Sequence, residues 1–423
     1  MKILVIGGGG REHAIVKKLK QSKTQTEIFV APSNAGINEE ATSVNIGATD
    51  IDGVVNYSRE NNIDLVVVTP DDPLVLGMVD ALENAGIRAY GPNKAAAIIE
   101  GSKIFAKDLM KKYNIPTAGY ASFNNHDEAA DYIKCHTKFP IVIKADGLAL
   151  GKGVIIANSK GDALVALKDM MLKNAFGESG QQVVIEDFLT GVEVSVLAFT
   201  DGKTIKPMVS SMDHKRAFDG DKGLNTGGMG VVAPNPCYTE EVERKAMERI
   251  FWPTLHAMNN EGRKFKGTLY FGLMICDGEP YVIEYNCRFG DPETQVCLPL
   301  LEGDLVDIFL SVIEERLEEV PVHNKNASSA CVIVASGGYP QNYEKGKEIT
   351  GLNEVDGIIH AGTALVDGKI VTNGGRVLGV TAVAESLQGA INEAYNKITK
   401  INFEDMHYRT DIGKKALEIK EAN

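Results

Sequence analysis

At 423 residues the chain exceeds the size at which one core usually splits, so roughly two to four domains are expected. Hydrophobic residues at 44% and charged residues at 24% are ordinary for a globular protein, while 43 glycines point to many tight turns and backbone-lined sites. A net charge of -13 argues against a nonspecific nucleic-acid binder, which needs a surplus of Lys and Arg.

The chain opens with Ile3-Leu4-Val5-Ile6, too short for a membrane span and without a secretory peptide's basic start or cleavage site, so a cytoplasmic protein is expected. Over the first hundred residues, short β-branched runs (Lys2–Ile6, Glu27–Val30, Asp64–Val68, Ile87–Tyr90) alternate with helical patterns such as Glu12–Lys20 and Leu76–Asn84. That alternation predicts a small doubly wound parallel sheet. From Gly101 to about Glu319 the pattern is α+β in two lobes, with strands at Ile141–Lys144, Val183–Glu186, Val192–Phe199 and Tyr281–Asn286. After Pro321, His323-Asn324-Lys325-Asn326 reads as a linker. Beyond it lie strands at Cys331–Ala335, Thr363–Val366, Ile370–Thr372 and Val377–Val383, with an Asp367-Gly368 hairpin signal and a helix near Leu387–Thr399. The cysteines Cys135, Cys237, Cys276, Cys287, Cys297 and Cys331 form no CxxC pair, so free thiols are expected.

Two glycine loops imitate known nucleotide motifs and fail their spacing. In Gly7-Gly8-Gly9-Gly10-Arg11-Glu12-His13, the third glycine of the dinucleotide fingerprint would be Glu12 or His13, and no acidic residue ends the second strand at Val30-Ala31-Pro32. This loop is either a phosphate-binding helix N-terminus with Arg11 beside it, or a tight turn with no ligand. In Lys144-Ala145-Asp146-Gly147-Leu148-Ala149-Leu150-Gly151-Lys152-Gly153, three residues separate the glycines and Gly153 replaces the hydroxyl of a P-loop. A glycine-rich flap over a triphosphate, with Lys144 and Lys152 as cationic contacts, fits better than a P-loop; a plain hairpin with surface lysines is the alternative.

The segment Val282–Thr294 carries the densest chemistry. A strand over Tyr281–Arg288 would line up Glu284, Asn286 and Arg288 on one face, two oxygen ligands for a hard cation beside a guanidinium for phosphate oxygens; a polar exposed strand face is the bland reading. Asp213-His214-Lys215-Arg216 through Asn225-Thr226-Gly227-Gly228-Met229-Gly230 suits a loop closing on a charged substrate, or a solvated loop; His214 alone reads as a surface residue. Around Glu186-Asp187-Phe188-Leu189, backbone groups could read an adenine edge and Glu193 could accept from ribose hydroxyls, unless this is only a buried strand pair.

These segments, together with Glu100-Gly101-Ser102-Lys103, Gly290-Asp291-Pro292-Glu293-Thr294-Gln295 and Thr372-Asn373-Gly374-Gly375-Arg376, are collinear with and resemble the phosphoribosylamine–glycine ligase family of the ATP-grasp superfamily. The resemblance implies an N-terminal Rossmann-like domain (1–101), an ATP-grasp large lobe (102–120 and 193–324), a small lobe (121–192) and a mixed α/β C-terminal domain (325–423). It implies a cytoplasmic monomer that uses ATP with Mg²⁺ or Mn²⁺ to ligate glycine to 5-phosphoribosylamine through glycyl phosphate, as a step of purine biosynthesis. By the same similarity, Lys103, Lys144, Gly147, Gly151, Lys152, Gly153, Glu186, Asp187, Phe188, Leu189 and Glu193 hold ATP, and Glu284 and Asn286 hold the metal. Arg288, Asp291, Asp213, Lys215 and Asn225 are the implied catalytic set, and Gly8, Gly9, Gly10 and Arg11 sit near the ribose 5-phosphate.

The chain departs from the family pattern at Asp71, where Gly-Pro-Glu is usual, and at Leu224, commonly proline. No carboxylate lies on Thr268–Met274, so two protein metal ligands are expected. Competing readings are a grasp ligase with another acid or acceptor, a nicotinamide-dependent oxidoreductase built on the N-terminal sheet, and an inactive nucleotide-binding regulator.

Overall fold

The computed structural model describes residues 1–148, 153–173 and 180–422. Its N-terminal sheet is parallel, in the order Thr42–Ser43, Glu27–Ala31, Lys2–Ile6, Leu65–Val68, Ala89–Tyr90. Ile3, Leu4, Val5 and Ile6 are all buried, because both faces of a parallel sheet are covered. The order reverses at the first strand, so the carboxyl ends that precede Gly7, Pro32 and Thr69 meet at a switch point, where open sheets bind ligands. The expected helix Leu76–Asn84 is instead two short helices, Asp71–Leu76 and Met78–Asn84. Gly77, at φ 99°, takes the left-handed conformation that ends the first and begins the second.

A four-stranded antiparallel sheet, ordered Tyr120–Phe123, Val183–Asp187, Ile141–Ala145, Val154–Ala157, is backed by helices His126–Cys135 and Lys160–Met171. Ile133, Ile141, Ile143, Leu167 and Ile185 close a core of its own. A second sheet orders Ile205–Pro207, Val192–Thr200, Gly267–Cys276 and Glu279–Asn286.

The C-terminal sheet is shared with the middle of the chain. Met212–Asp213 and Gly230–Ala233 extend it, with Val231 opposite Cys331 on Ser328–Ser336, which pairs in turn with Arg376–Ala384. The polar stretch expected as a linker is docked: the Lys325 N–H donates to Leu300 O at 2.8 Å and its ammonium to Pro299 O at 2.9 Å. Asp367 (φ 50°) and Gly368 (φ 77°) turn the expected hairpin between Thr363–Val366 and Lys369–Thr372. All six cysteines are free. No helix among the described residues is long and apolar enough to cross a membrane.

Candidate active site

The helix Lys103–Lys112 organises one end of the site. Ser102 caps it by accepting from the Phe105 N–H, and the Asp146 carboxylate accepts the Ile104 N–H at 3.0 Å, placing a negative charge at a helix N-terminus. The stem of the second glycine loop is thereby fixed to this helix. The Lys103 ammonium donates to Gly147 O at 2.7 Å, and Gly147 has φ 99°. Desolvation pulls the Lys103 ammonium below its ordinary range, with Glu284 opposing. Gly153 is buried where the loop rejoins the sheet; Gly151 and Lys152 lie outside the described residues.

Behind the loop, Glu186 forms ion pairs with two buried ammonium groups, Lys144 and Lys107, each at 2.9 Å. Desolvation raises the Glu186 carboxyl, but the two lysines outweigh it and the net shift is downward. Lys144 also donates to Ile283 O at 3.0 Å, and Lys107 to Thr117 Oγ1 at 2.7 Å. The Glu186 carboxylate therefore aims lysines from a helix and a strand toward one space. The next residues run outward: Asp187 is exposed, Phe188 is 39% exposed and Leu189 half-buried.

Facing that space is the end of Glu279–Asn286. The expected strand to Arg288 stops two residues earlier, and its register against Gly267–Cys276 shifts between Val282 and Glu284. This bulge keeps Glu284 and Asn286 on the open face while Val282 and Tyr285 are buried. The Glu284 carboxylate accepts no hydrogen bond among the described residues; its nearest cation, Lys215, is 3.9 Å away. Desolvation alone would raise its carboxyl, but Lys215, Lys144, Lys103 and Arg288 hold it below the ordinary range. Arg288 bends back to donate to Asn286 Oδ1 at 3.2 Å, pairs with Glu100 at 3.1 Å, and leaves Nε buried without a partner. Asp71, despite its departure from the family pattern, is close enough for its charge to act on Arg288 and Glu100.

Lys215 lies between Glu193 at 3.0 Å and Glu284, so Glu193, expected to face a ribose, is engaged by a neighbouring lysine. Glu193 foremost lifts the Lys215 ammonium well above its ordinary range. Desolvation, then the Glu293 carboxylate, pushes the adjacent Asp213 carboxyl well up. His214 is no surface residue: Nδ1 donates to Gly230 O at 3.0 Å, Nε2 accepts the Gly413 N–H at 3.1 Å, and burial brings its pKa down to about 4. The following loop is a bulged hairpin, Arg216–Phe218 against Lys222–Asn225, with Asn225 half-buried at its end. It is fastened from outside, by Arg409 to Asp221 and Thr410 to Asp219.

At the other end, the Gly9 N–H donates to Glu12 Oε2 at 2.7 Å, while Arg11 reaches Glu12 Oε1 at 2.7 Å and Phe289 O at 2.9 Å. One N–H and the guanidinium expected to face a phosphate are thus engaged internally. The Gly8 and Gly10 N–H groups make no hydrogen bond among the described residues. A Cβ on Gly8 would lie 2.7 Å from Pro32 O, and one on Gly9 3.8 Å from Asp291 Oδ2, so this loop abuts the 284–291 segment. Gly8→Ala is accordingly expected to cost about 1–3 kcal/mol through overpacking against backbone, read as a lower thermal midpoint. An unchanged midpoint would mean the loop shifts freely.

The structure thus brings together Lys103, Lys144, Gly147, Glu186, Glu284, Asn286, Arg288 and Lys215, with Asp291 joining them to Gly8–Arg11. The sequence reading missed several partners. Glu100, Lys107, Glu12 and Arg376 each fix one of those residues, Thr69 donates to Glu12 Oε1 at 2.7 Å, and Asn34 donates to both Gly8 O and His360 O at 2.9 Å. Glu12, Glu100 and Arg376 lie in the collinear motifs; Lys107, Thr69 and Asn34 carry no local signal.

The chain matches the phosphoribosylglycinamide synthetase N domain over residues 1–100, the ATP-grasp (A) domain over 101–294 and the C domain over 329–415. It is 46% identical over 426 residues to phosphoribosylamine–glycine ligase of Rhodopirellula baltica, covering 98% of each chain. Identity is 47% over 414 residues with the enzyme of that name from Caldanaerobacter subterraneus, covering 97% of this chain and 99% of the relative. The crystal structure of phosphoribosylamine–glycine ligase from Thermotoga maritima superposes with a TM-score of 0.85 at 35% identity, covering 97% of this chain and 100% of that one. Biotin carboxylase from Campylobacter jejuni, at 13% identity and a TM-score of 0.74, shares the fold. The matches span all three parts of the chain, which belongs to the phosphoribosylglycinamide synthetase family of ATP-grasp ligases.

Proposed function

We propose that this protein is a cytoplasmic monomer that joins glycine to 5-phosphoribosylamine, converting ATP to ADP and phosphate through a glycyl phosphate intermediate. The carrying observation is the convergence of Lys103, Lys144, Glu284, Asn286, Arg288 and Lys215 on one space. A carboxylate is a poor acyl donor, so phosphorylation supplies a leaving group, and the site's task is to position reactants and neutralise charge. No nucleophilic side chain is required.

Lys103 and Lys144 bind the terminal phosphates, and the 147–153 loop covers them, its Gly151 and Lys152 included. The backbone from Glu186 through Asp187, Phe188 and Leu189 holds the base. Glu193 reaches the ribose when Lys215 turns to the phosphoryl group. The oxygens of Glu284 and Asn286 suit Mg²⁺ or Mn²⁺: they share a face, and the carboxylate is charged and accepts no hydrogen bond. The described residues hold no cluster of three or more His, Cys, Asp or Glu side chains that could hold a metal ion, and phosphate oxygens and water would complete the shell. Such an ion supplies charge neutralisation on the transferring phosphoryl group.

Arg288 holds the glycine carboxylate and then the acyl phosphate. Asp291, Asp213 and Asn225 line the amine's approach. The Gly8 and Gly10 N–H groups take the 5-phosphate at the sheet's switch point, joined by Gly9 and Arg11 when these turn from Glu12. The test is ADP release by purified protein given ATP, Mg²⁺, glycine and freshly generated phosphoribosylamine. Turnover that needs both glycine and the amine is expected; ADP release independent of glycine rejects the reading. The same assay with other acids excludes a different acyl substrate, and any metal-dependent turnover excludes an inactive regulator.

A further inference from the structure

Arg376 opens the strand Arg376–Ala384 in the C-terminal unit, yet its guanidinium lies in the site. Its Nη1 donates to Gly227 O at 2.6 Å and Asp291 O at 2.9 Å, and its Nη2 to Asp291 Oδ2 at 2.9 Å. The fit is close: a Cβ on Gly227 would sit 2.9 Å from the guanidinium carbon, and Tyr339 accepts the Gly227 N–H at 3.1 Å. Gln295 donates to the other Asp291 oxygen at 2.7 Å, so the carboxylate is held from both sides. A planar fork bonded to a carboxylate and two backbone carbonyls fixes direction as well as charge.

The charged groups divide into two neighbourhoods. Glu284 feels Lys215, Lys144, Lys103 and Arg288, whereas Asp291 feels Arg376, Arg11 and Arg288. Arg288 joins the halves. Arg376 adjoins the Gly9 half through Asp291, and its charge also reaches Asp213, which Lys215 acts on from the other side.

We propose that Arg376 is a positioning residue for amine transfer: from the C-terminal unit it sets the Asp291 carboxylate and the Gly227–Gly228 turn where the amine approaches the acyl phosphate. The proposal rests on the ligase reading above. In that step the amine nitrogen forms a bond to the glycyl carbonyl carbon, the carbon–oxygen bond to phosphate breaks, phosphate leaves with the electron pair, and the amine loses a proton. If the amine is misplaced, water attacks the same carbon and returns glycine, phosphate and a proton. ATP is then spent without an amide.

The test measures ADP and amide together for wild type, Arg376→Ala and Arg376→Lys under all substrates. For Arg376→Ala, ADP release is expected within about threefold of wild type while amide formed per ADP falls roughly tenfold. Arg376→Lys keeps a cation beside Asp291 but cannot span carboxylate and carbonyls, so its ratio should fall between the two. A wild-type ratio in Arg376→Ala, or a parallel loss of both products, overturns the proposal. If Arg376→Ala does not fold, the Arg376→Lys ratio decides: below wild type supports the proposal and equal to it overturns it. Absence of glycine-dependent ADP release by the wild type is a separate result, and it sinks the ligase reading instead.

Discussion

Arg288→Ala is expected to lower turnover by about 10²–10³, the usual size for removing one preorganised charge stabiliser. Three observations put this residue at the junction of the two charged neighbourhoods. It touches Asn286 on the side of Lys103 and Lys144, its charge acts on both Glu284 and Asp291, and its buried Nε has no partner. The expected loss is catalytic rather than a loss of fold because of what lies behind it. Removing the guanidinium would strand the Glu100 carboxylate, but desolvation already pushes that carboxyl above its ordinary range, and it keeps the Cys287 N–H at 2.7 Å. Uptake of one proton by Glu100 would relieve most of the penalty. The measurement is kcat and the ATP KM together, with a thermal midpoint as the control. A rate within threefold of wild type would show that Arg288 only braces Glu100.

Legibility in the sequence followed the range of the interactions. Strands with continuous apolar runs were readable: Lys2–Ile6 and Thr363–Val366 lie at their expected bounds. Glu284 and Asn286 were legible as a pair because strand periodicity is local, while the point where the strand ends depended on a bulge against a partner that no local pattern specifies. Gly77 split a helix that its apolar spacing had joined, since spacing does not show that a glycine takes the left-handed conformation. The hairpin after Asp213 read as a free, charged loop because the groups that fix it, Arg409 and Asp411, are nearly two hundred residues away. The same holds for Arg376 and Asp291, 85 residues apart. Motif collinearity carried the family; the braces became visible only with the fold.

Glu186→Gln is expected to have the largest effect on stability, because it leaves two ammonium groups buried against a neutral amide. Breaking a buried ion pair by removing one partner costs about 3–5 kcal/mol, whereas replacing the whole set with apolar residues costs far less. The loss should be local. Lys107, Lys144 and Glu186 tie the helix Lys103–Lys112 to strands Ile141–Ala145 and Val183–Asp187, so amide exchange in those strands should quicken by on the order of 10²–10³ while the N-terminal sheet is unaffected.

Two pH dependences accompany the change. In the wild type the Glu186 carboxyl is lowered on folding, so its contribution is complete above the ordinary carboxylate range and is lost as the pH falls through the folded value. That acid-sensitive part should vanish in Glu186→Gln. Lys107 behaves in the opposite sense. Burial brings its pKa down from 10.5 to about 8, so between those values the unfolded chain binds the extra proton and raising the pH relieves a cost of burial. Glu186 is the main group opposing that shift, and without it the Lys107 titration should move further down. Stability of Glu186→Gln should therefore begin to recover with rising pH at a lower pH than in the wild type. Unchanged exchange rates in the Val183–Asp187 strand, or an unchanged acid limb, would mean that Glu186 is not what holds the two lysines in place.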